Sequence, residues 1–320
     1  MRKPLHISPT SFFLWKKDKE EYFKKYLSER RFVRDAQTIH MANGSAFDVF
    51  IKNYLLEKLK TESRSYQKES LDFETQVEEQ HRDAARIAGM AILKFYTESG
   101  ALANLLAEIG SSAGFEFKVT GHIRHSIKVI PKESALFGLG PEFSIILNGR
   151  PDAFFLSTTG TPIVLDWKVN GWMSSKTTSP KAGYIDLFPE RKVHKDALRT
   201  NGYGISYNLN GSNDAEWSTQ LAIYGWLLGS PVGEPIIGGI EQIVGPSTAP
   251  RVAKFRFLIS KEFQEKLYME LCEMWTIIQS DWIFRELAID ESIARCKALQ
   301  EQVTAEDNPV DINDIDSLFK

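Results

Sequence analysis

Hydrophobic and polar positions along this chain follow two different periods, and the change of period divides it. Up to about residue 110 the spacing is helical. Ser8-Pro9-Thr10-Ser11 reads as a helix start, and Phe12, Phe13, Trp15, Tyr22, Phe23 and Tyr26 follow at near-helical intervals. Lys16, Lys17, Lys19, Lys24 and Lys25 are interleaved, which predicts an amphipathic helix with a solvated basic face. Phe47, Ile51, Tyr54, Leu55 and Leu59 predict a second helix over about 44–60. Asp48 lies on the edge of that stripe, in line with Gly44, Ile51 and Leu55. A carboxylate on a buried face needs a partner or a cation. Residues 74–109 predict one long helix and a shorter one, divided near Gly100.

After Gly114 the pattern becomes that of strands. Phe115–Val119, Ser144–Leu147, Ala153–Leu156 and Pro162–Val169 are predicted strands, punctuated by Gly149-Arg150 and Thr159-Gly160. Gly110-Ser111-Ser112-Ala113-Gly114 matches a serine-hydrolase spacing formally. It follows a helix and precedes a strand, the wrong context for a nucleophile elbow, so it reads as a small-residue turn. A polar, turn-rich segment runs from Asn170 to about Asp214, and Trp217–Leu228 predicts a helix. Pro235–Val244 and Arg251–Ile259 predict strands, and Ser260 caps a helix reaching about Phe284. The acidic stretch from Glu306 to Lys320 reads as frayed. With no repeat and no linker, the expectation is a single α/β domain over 1–320. It has a helical part (1–110), a sheet core (111–259) with a long loop (170–214), and a C-terminal helix and acidic tail (260–320).

Composition narrows the classes. The chain has 320 residues, 42% hydrophobic and 25% charged, which excludes a largely disordered or collagen-like polymer. Two cysteines, Cys272 and Cys296, exclude a disulfide framework and a four-thiolate metal centre, and they fit a reducing, cytoplasmic setting. No apolar stretch reads as a membrane span, so no membrane partner is expected. The net charge of −3 argues against bulk electrostatic binding of nucleic acid but leaves room for a local basic cleft. No Gly-rich phosphate loop of the GxxxxGK[ST] type is present, and the His122/His125 pair has no accompanying metal-ligand spacing.

The chemistry concentrates in Gly149-Arg150-Pro151-Asp152 and, after thirteen intervening residues, Asp166-Trp167-Lys168. Residues two apart on a strand share a face, so Asp166 and Lys168 project together and Trp167 points away. A turn near Thr159-Gly160 would return the chain and set Asp152 beside them. Two close carboxylates cannot both ionise cheaply, and a hard divalent cation, Mg²⁺ or Mn²⁺, would satisfy them with oxygen ligands. Lys168 would contact a phosphate or position a water. These are the parts of metal-assisted phosphodiester hydrolysis. Just beyond lie Lys176, Lys181, Arg191, Lys192 and His194, interspersed with Trp172, Tyr184 and Phe188. Cations with aromatics suit single-stranded nucleic acid, and this segment could cover the site.

Asp152 and Asp166-Trp167-Lys168, with Pro151, resemble the signature of the PD-(D/E)xK nucleases. Gln220-Leu221-Ala222-Ile223-Tyr224 is similar to the Gln-x-x-x-Tyr helix of their RecB-like branch, which includes phage exonucleases and the nucleases of CRISPR adaptation. Gly44-Ser45-Ala46-Phe47-Asp48 resembles that branch's Gly-x-x-x-His motif, with Asp48 in place of histidine. The opening Ile7-Ser8-Pro9-Thr10 is also similar. The resemblance implies a restriction-endonuclease-like core, a central mixed sheet flanked by helices, with a helical N-terminal elaboration. It implies a metal held by Asp152, Asp166 and the Trp167 carbonyl. It makes Lys168 the residue that orients the attacking water, with Gln220 and Tyr224 in support. Asp48 would be a further ligand in place of the histidine, the alternative being that this metal position is lost. A family acidic residue preceding the Pro-Asp strand is matched equally by Glu116 and Glu142. The expected activity is a metal-dependent DNA exonuclease of the phage-recombination or repair kind, acting on linear duplex or single strands. It could work as a homo-oligomer or with a helicase or recombinase partner. The alternatives are a non-catalytic DNA- or partner-binding module and a restriction-type endonuclease.

Overall fold

The computed structural model describes residues 1–29, 36–59, 72–115, 119–124, 144–170, 203–204, 214–244 and 251–306. In chain order the helices before the sheet are α1 (Pro9–Lys17), α2 (Lys19–Tyr22), α3 (Ile39–Leu59), α4 (Phe73–Gln76), α5 (Arg82–Glu98) and α6 (Ala101–Glu108). Strands β1 (Ile109–Phe115), β2 (Val119–Arg124), β3 (Ser144–Gly149), β4 (Ala153–Ser157), β5 (Pro162–Asn170) and β6 (Tyr203–Gly204) follow. Then come α7 (Asp214–Leu227), β7 (Ile236–Val244), β8 (Arg251–Ile259), α8 (Lys261–Gln279) and α9 (Ile289–Glu306). Two compact units result. One comprises 1–35, 122–147 and 269–320, and the other 36–121 and 148–268.

In the first unit, Ser8 caps α1 through a reciprocal box with Ser11, and Pro9 takes the first helical position. Phe12, Trp15, Tyr22, Phe23 and Leu27 are buried. Of the lysines between them, Lys16 pairs with Glu270 at 2.7 Å and Lys19 with Glu286 at 3.1 Å. The Ile7 amide donates to the Ile146 carbonyl at 2.8 Å, and α9 packs on the π-helical turn at Phe23–Leu27.

The second unit is built on a mixed sheet of six described strands in the order β1-β4-β5-β7-β8-β6. β5 is antiparallel to β4 and parallel to β7. Alternation along β5 separates two faces. Ile163, Leu165 and Trp167 join the core formed with Phe47, Ile51 and Leu55 of α3 and Ala88, Ile92 and Tyr96 of α5. α7 lies against β5 and β7, its Leu221 reaching Gly238. On the α5 side, Glu241 of β7 and Arg256 of β8 are buried together. Arg256 Nη2 lies 2.9 Å from Glu241 Oε1, its Nε donates to Glu108 Oε1 at 2.8 Å, and the Tyr96 hydroxyl donates to Glu241.

Several sequence expectations move. α3 begins at Ile39, because Thr38 caps it by accepting from the Met41 amide at 3.3 Å. The expected long helix from 74 is interrupted where Val77 is extended, so its main part starts at Arg82. Gly100, at φ 80°, separates it from α6 as expected. The small-residue stretch 110–114 is not a turn but lies within β1. It pairs with β4 through two register shifts, and a Cβ at Gly110 would sit 2.6 Å from the Ser157 carbonyl oxygen. The strand expected over 115–119 is the end of β1 and the start of β2. α8 stops at Gln279, before Asp281 at φ 61°. Among the described residues, no helix is long and apolar enough to cross a membrane.

Candidate active site

The site is assembled wholly within the second unit, at one end of β5. The β4–β5 hairpin turns at Gly160, whose φ of 80° suits glycine, and it pairs Ala153 with Leu165. Asp152 lies one residue further along, opposite Asp166. Its Oδ2 accepts the Trp167 amide at 3.0 Å. Asp166 and Lys168 share the face that Trp167 leaves, as the period of two requires. Lys168 Nζ lies 2.7 Å from Asp166 Oδ2.

α7 supplies the clamp. Gln220 Oε1 accepts from Lys168 Nζ at 3.0 Å, and Gln220 Nε2 donates to Asp166 Oδ1 at 2.9 Å. One amide thus reads both members of the ion pair. Gln220 Nε2 also donates to the Tyr224 hydroxyl at 3.1 Å, one helical turn on. That hydroxyl is further held by the backbone of Arg150, and burial raises its pKa, so it stays neutral. The Tyr224 ring occupies the space that a side chain at 149 would fill, with a Cβ there 2.6 Å from the ring. Gly149→Ala is therefore expected to cost about 1–3 kcal/mol by overpacking. Urea unfolding measures it, and an unchanged midpoint would mean that the ring moves aside freely.

α3 forms the other wall. Asp48 points into a cleft of about 270 Å³ with Gly44, Ser45, Phe47, Asp152, Asp166 and Lys168. Lys52, one turn after Asp48, donates to Asp48 Oδ2 and, at 3.0 Å, to Asp152 Oδ1. Its side chain is 0% exposed, while those of Asp48 and Asp152 are 29% and 19% exposed. Lys52 is not among the residues that the sequence motifs single out. The signal available was an Asp-to-Lys spacing of four on the same helix, beside the apolar stripe.

Asp48, Asp152, Asp166, Trp167, Lys168, Gln220 and Tyr224 are thus brought together as the sequence predicts. Glu116, Glu142, Lys176, Lys181, Arg191, Lys192 and His194 lie outside the described residues, as does His125. Among the described residues, no three carboxylate, imidazole or thiol groups converge closely enough to enclose a metal by themselves. The oxygens present do suit one hard cation. Asp166 Oδ2 is buried with an ion-pair neighbour but no aligned hydrogen bond. Each Asp152 oxygen accepts one hydrogen bond and keeps a lone pair.

Burial pushes the Asp166 carboxyl up to about 7. Lys168 pulls it down, Asp152 pushes it up, and Lys52 pulls it down more weakly. Burial works against the Lys168 charge too, but Asp166, with Asp152 and Asp48, more than offsets it, so its pKa is raised. The Asp166 pKa is raised on folding. Its contribution is therefore most favourable below about pH 4 and is lost as pH rises to about 7. In EDTA, the native chain is expected to lose thermal stability across that window, and Asp166→Asn to lack this loss. Parallel melting curves for the two proteins would refute it.

No family model and no curated protein matches the chain. Among solved structures, it is similar to the protein of the crystal structure titled SSO0001. They share 15% identity over 87% of this chain and 95% of that one, with a TM-score of 0.28. A likeness at that level bears on neither the fold nor the function.

Proposed function

We propose that this protein is a divalent-metal-dependent deoxyribonuclease with a PD-(D/E)xK-type site. The exonuclease of the phage-recombination or repair kind is the favoured form. The observation that carries the reading is the arrangement of Asp152, Asp166 and Lys168, with Gln220 bridging the last two. Asp152, Asp166 and the Trp167 carbonyl would hold Mg²⁺ or Mn²⁺. Such a cation, when bound, lowers the pKa of its water and stabilises charge on a phosphoryl oxygen. The remaining work belongs to side chains of this chain. Lys168 holds a fixed positive charge beside Asp166, where it orients a water or meets the phosphate. Gln220 fixes the rotamers of both groups at once. Tyr224 holds Gln220 and closes the site from the side of Gly149.

DNA hydrolysis by the purified protein tests this. End-labelled linear duplex, closed circular duplex and single strands are incubated with Mg²⁺, Mn²⁺ or EDTA. The expected result is metal-dependent cleavage of linear DNA and single strands. Nicking of closed circles would indicate an endonuclease instead. DNA binding without cleavage under every metal condition would point to a non-catalytic module.

A further inference from the structure

Lys52 has no role in the nuclease reading. It stands on α3 one turn beyond Asp48, with its side chain fully enclosed and its ammonium shared between Asp48 and Asp152. Enclosing a charged side chain is costly unless it is paired, and two carboxylates supply that pairing. The relation also runs the other way. Two carboxylates that face one cleft repel each other, and a cation set between them relieves the repulsion. Where two metals serve such sites, they do it as a pair of positive charges spanned by acidic side chains. Here one of the two positive charges is covalently part of the helix.

We propose that the Lys52 ammonium takes the place of one metal ion, so that the site accepts a single divalent cation, at Asp152 and Asp166, and Asp48 serves Lys52. This rests on the nuclease reading for the identity of the bound cation, but not for the placement of Lys52. Three observations carry it. Asp48 and Lys52 are four residues apart on one helix, so their pairing is built into α3 and does not depend on the loops. Lys52 also reaches across to Asp152, on an element a hundred residues away, at 3.0 Å. Finally, Lys168 lies 2.7 Å from Asp166, so a lysine ammonium already serves as the cation beside the second carboxylate too. Being fully enclosed, Lys52 does not touch substrate. It is a positioning residue, holding Asp152 in place and fixing the charge at that side of the cleft.

The test is Mn²⁺ binding, followed by electron paramagnetic resonance and calorimetry on the full chain without DNA. The native protein is expected to bind one Mn²⁺. Lys52→Met keeps most of the stem and removes the charge that Asp48 Oδ2 and Asp152 Oδ1 now hold. It is expected to bind two Mn²⁺, or one at least tenfold more tightly. Lys52→Met with Asp48→Asn is expected to return to one. Asp48→Asn alone, which leaves Lys52 in place, is expected to retain the single cation, and it decides the matter if Lys52→Met fails to fold. Two ions on the native protein, loss of the ion in Asp48→Asn, or identical binding by native and folded Lys52→Met would each overturn the proposal. No ion on the native chain but one on Lys52→Met would keep the role of Lys52 and sink the metal-nuclease reading. No ion on any variant would sink both.

Discussion

Lys168→Ala is expected to lower metal-dependent DNA cleavage by about 10²–10³-fold, the scale of losing one preorganised charge at a reacting centre. The substitution has two consequences that pH separates. It removes the ammonium 2.7 Å from Asp166 Oδ2, and it leaves a buried carboxyl, already held up to about 7, without its nearest counter-charge. If Lys168 acted only by keeping Asp166 ionised, raising the pH to 8.5 or above would restore the rate. If it acts on water or phosphate, the loss persists at high pH, and that persistence is the expected result. Cleavage within threefold of native at all pH values would remove Lys168 from the mechanism.

The second large effect concerns the opposite side of the sheet. Arg256→Met is expected to destabilise the second unit by about 3–5 kcal/mol, the scale for breaking a buried ion pair from one side. Arg256 is 3% exposed and serves both Glu108 and Glu241, while Lys254 also reaches Glu241 at 3.2 Å. Burial lowers the Lys254 pKa, so this lysine is a poor substitute for the guanidinium. Removing Arg256 leaves two carboxylates with too little positive charge. Urea unfolding measures the loss, and a change below 1 kcal/mol would mean that Lys254 and Tyr96 suffice. Glu241→Gln in the Arg256→Met background is expected to recover part of it.

Much of the site was legible in the sequence because it sits on regular elements. The strand at 162–170 announces itself by a β-branched run, and the period of two then fixes which way Asp166, Trp167 and Lys168 face. Gln220 and Tyr224 are four apart on a helix, so their common face follows directly. Lys52 was not legible in the same way. A lysine near an apolar stripe ordinarily reaches solvent with its charge, and here a pairing with Asp152, a hundred residues on, helps to hold it inside. β1 was missed because Gly110-Ser111-Ser112-Ala113-Gly114 carries no hydrophobic alternation. Its pairing is imposed by β4, and its small residues permit the close approach. The Glu108–Arg256–Glu241 cluster draws on three elements, so no local pattern reveals it. A glutamate within the apolar strand Ile236–Val244 was its single trace.

The order of strands in the sheet bears on how the cleft comes into being. Asp152 and Asp166 are joined by a tight hairpin, and closing so short a loop costs little chain entropy. Gln220 and Tyr224 arrive only after the chain has travelled from the end of β5 to α7, and β7 then docks in parallel alongside β5. Such non-local pairing is slow. During refolding, the acidic pair is therefore expected to be set before its amide clamp, with Asp166 open to water for that interval. A divalent ion that binds this pair as proposed would meet it at that stage before it is enclosed, so metal loading and the last step of folding would compete in time.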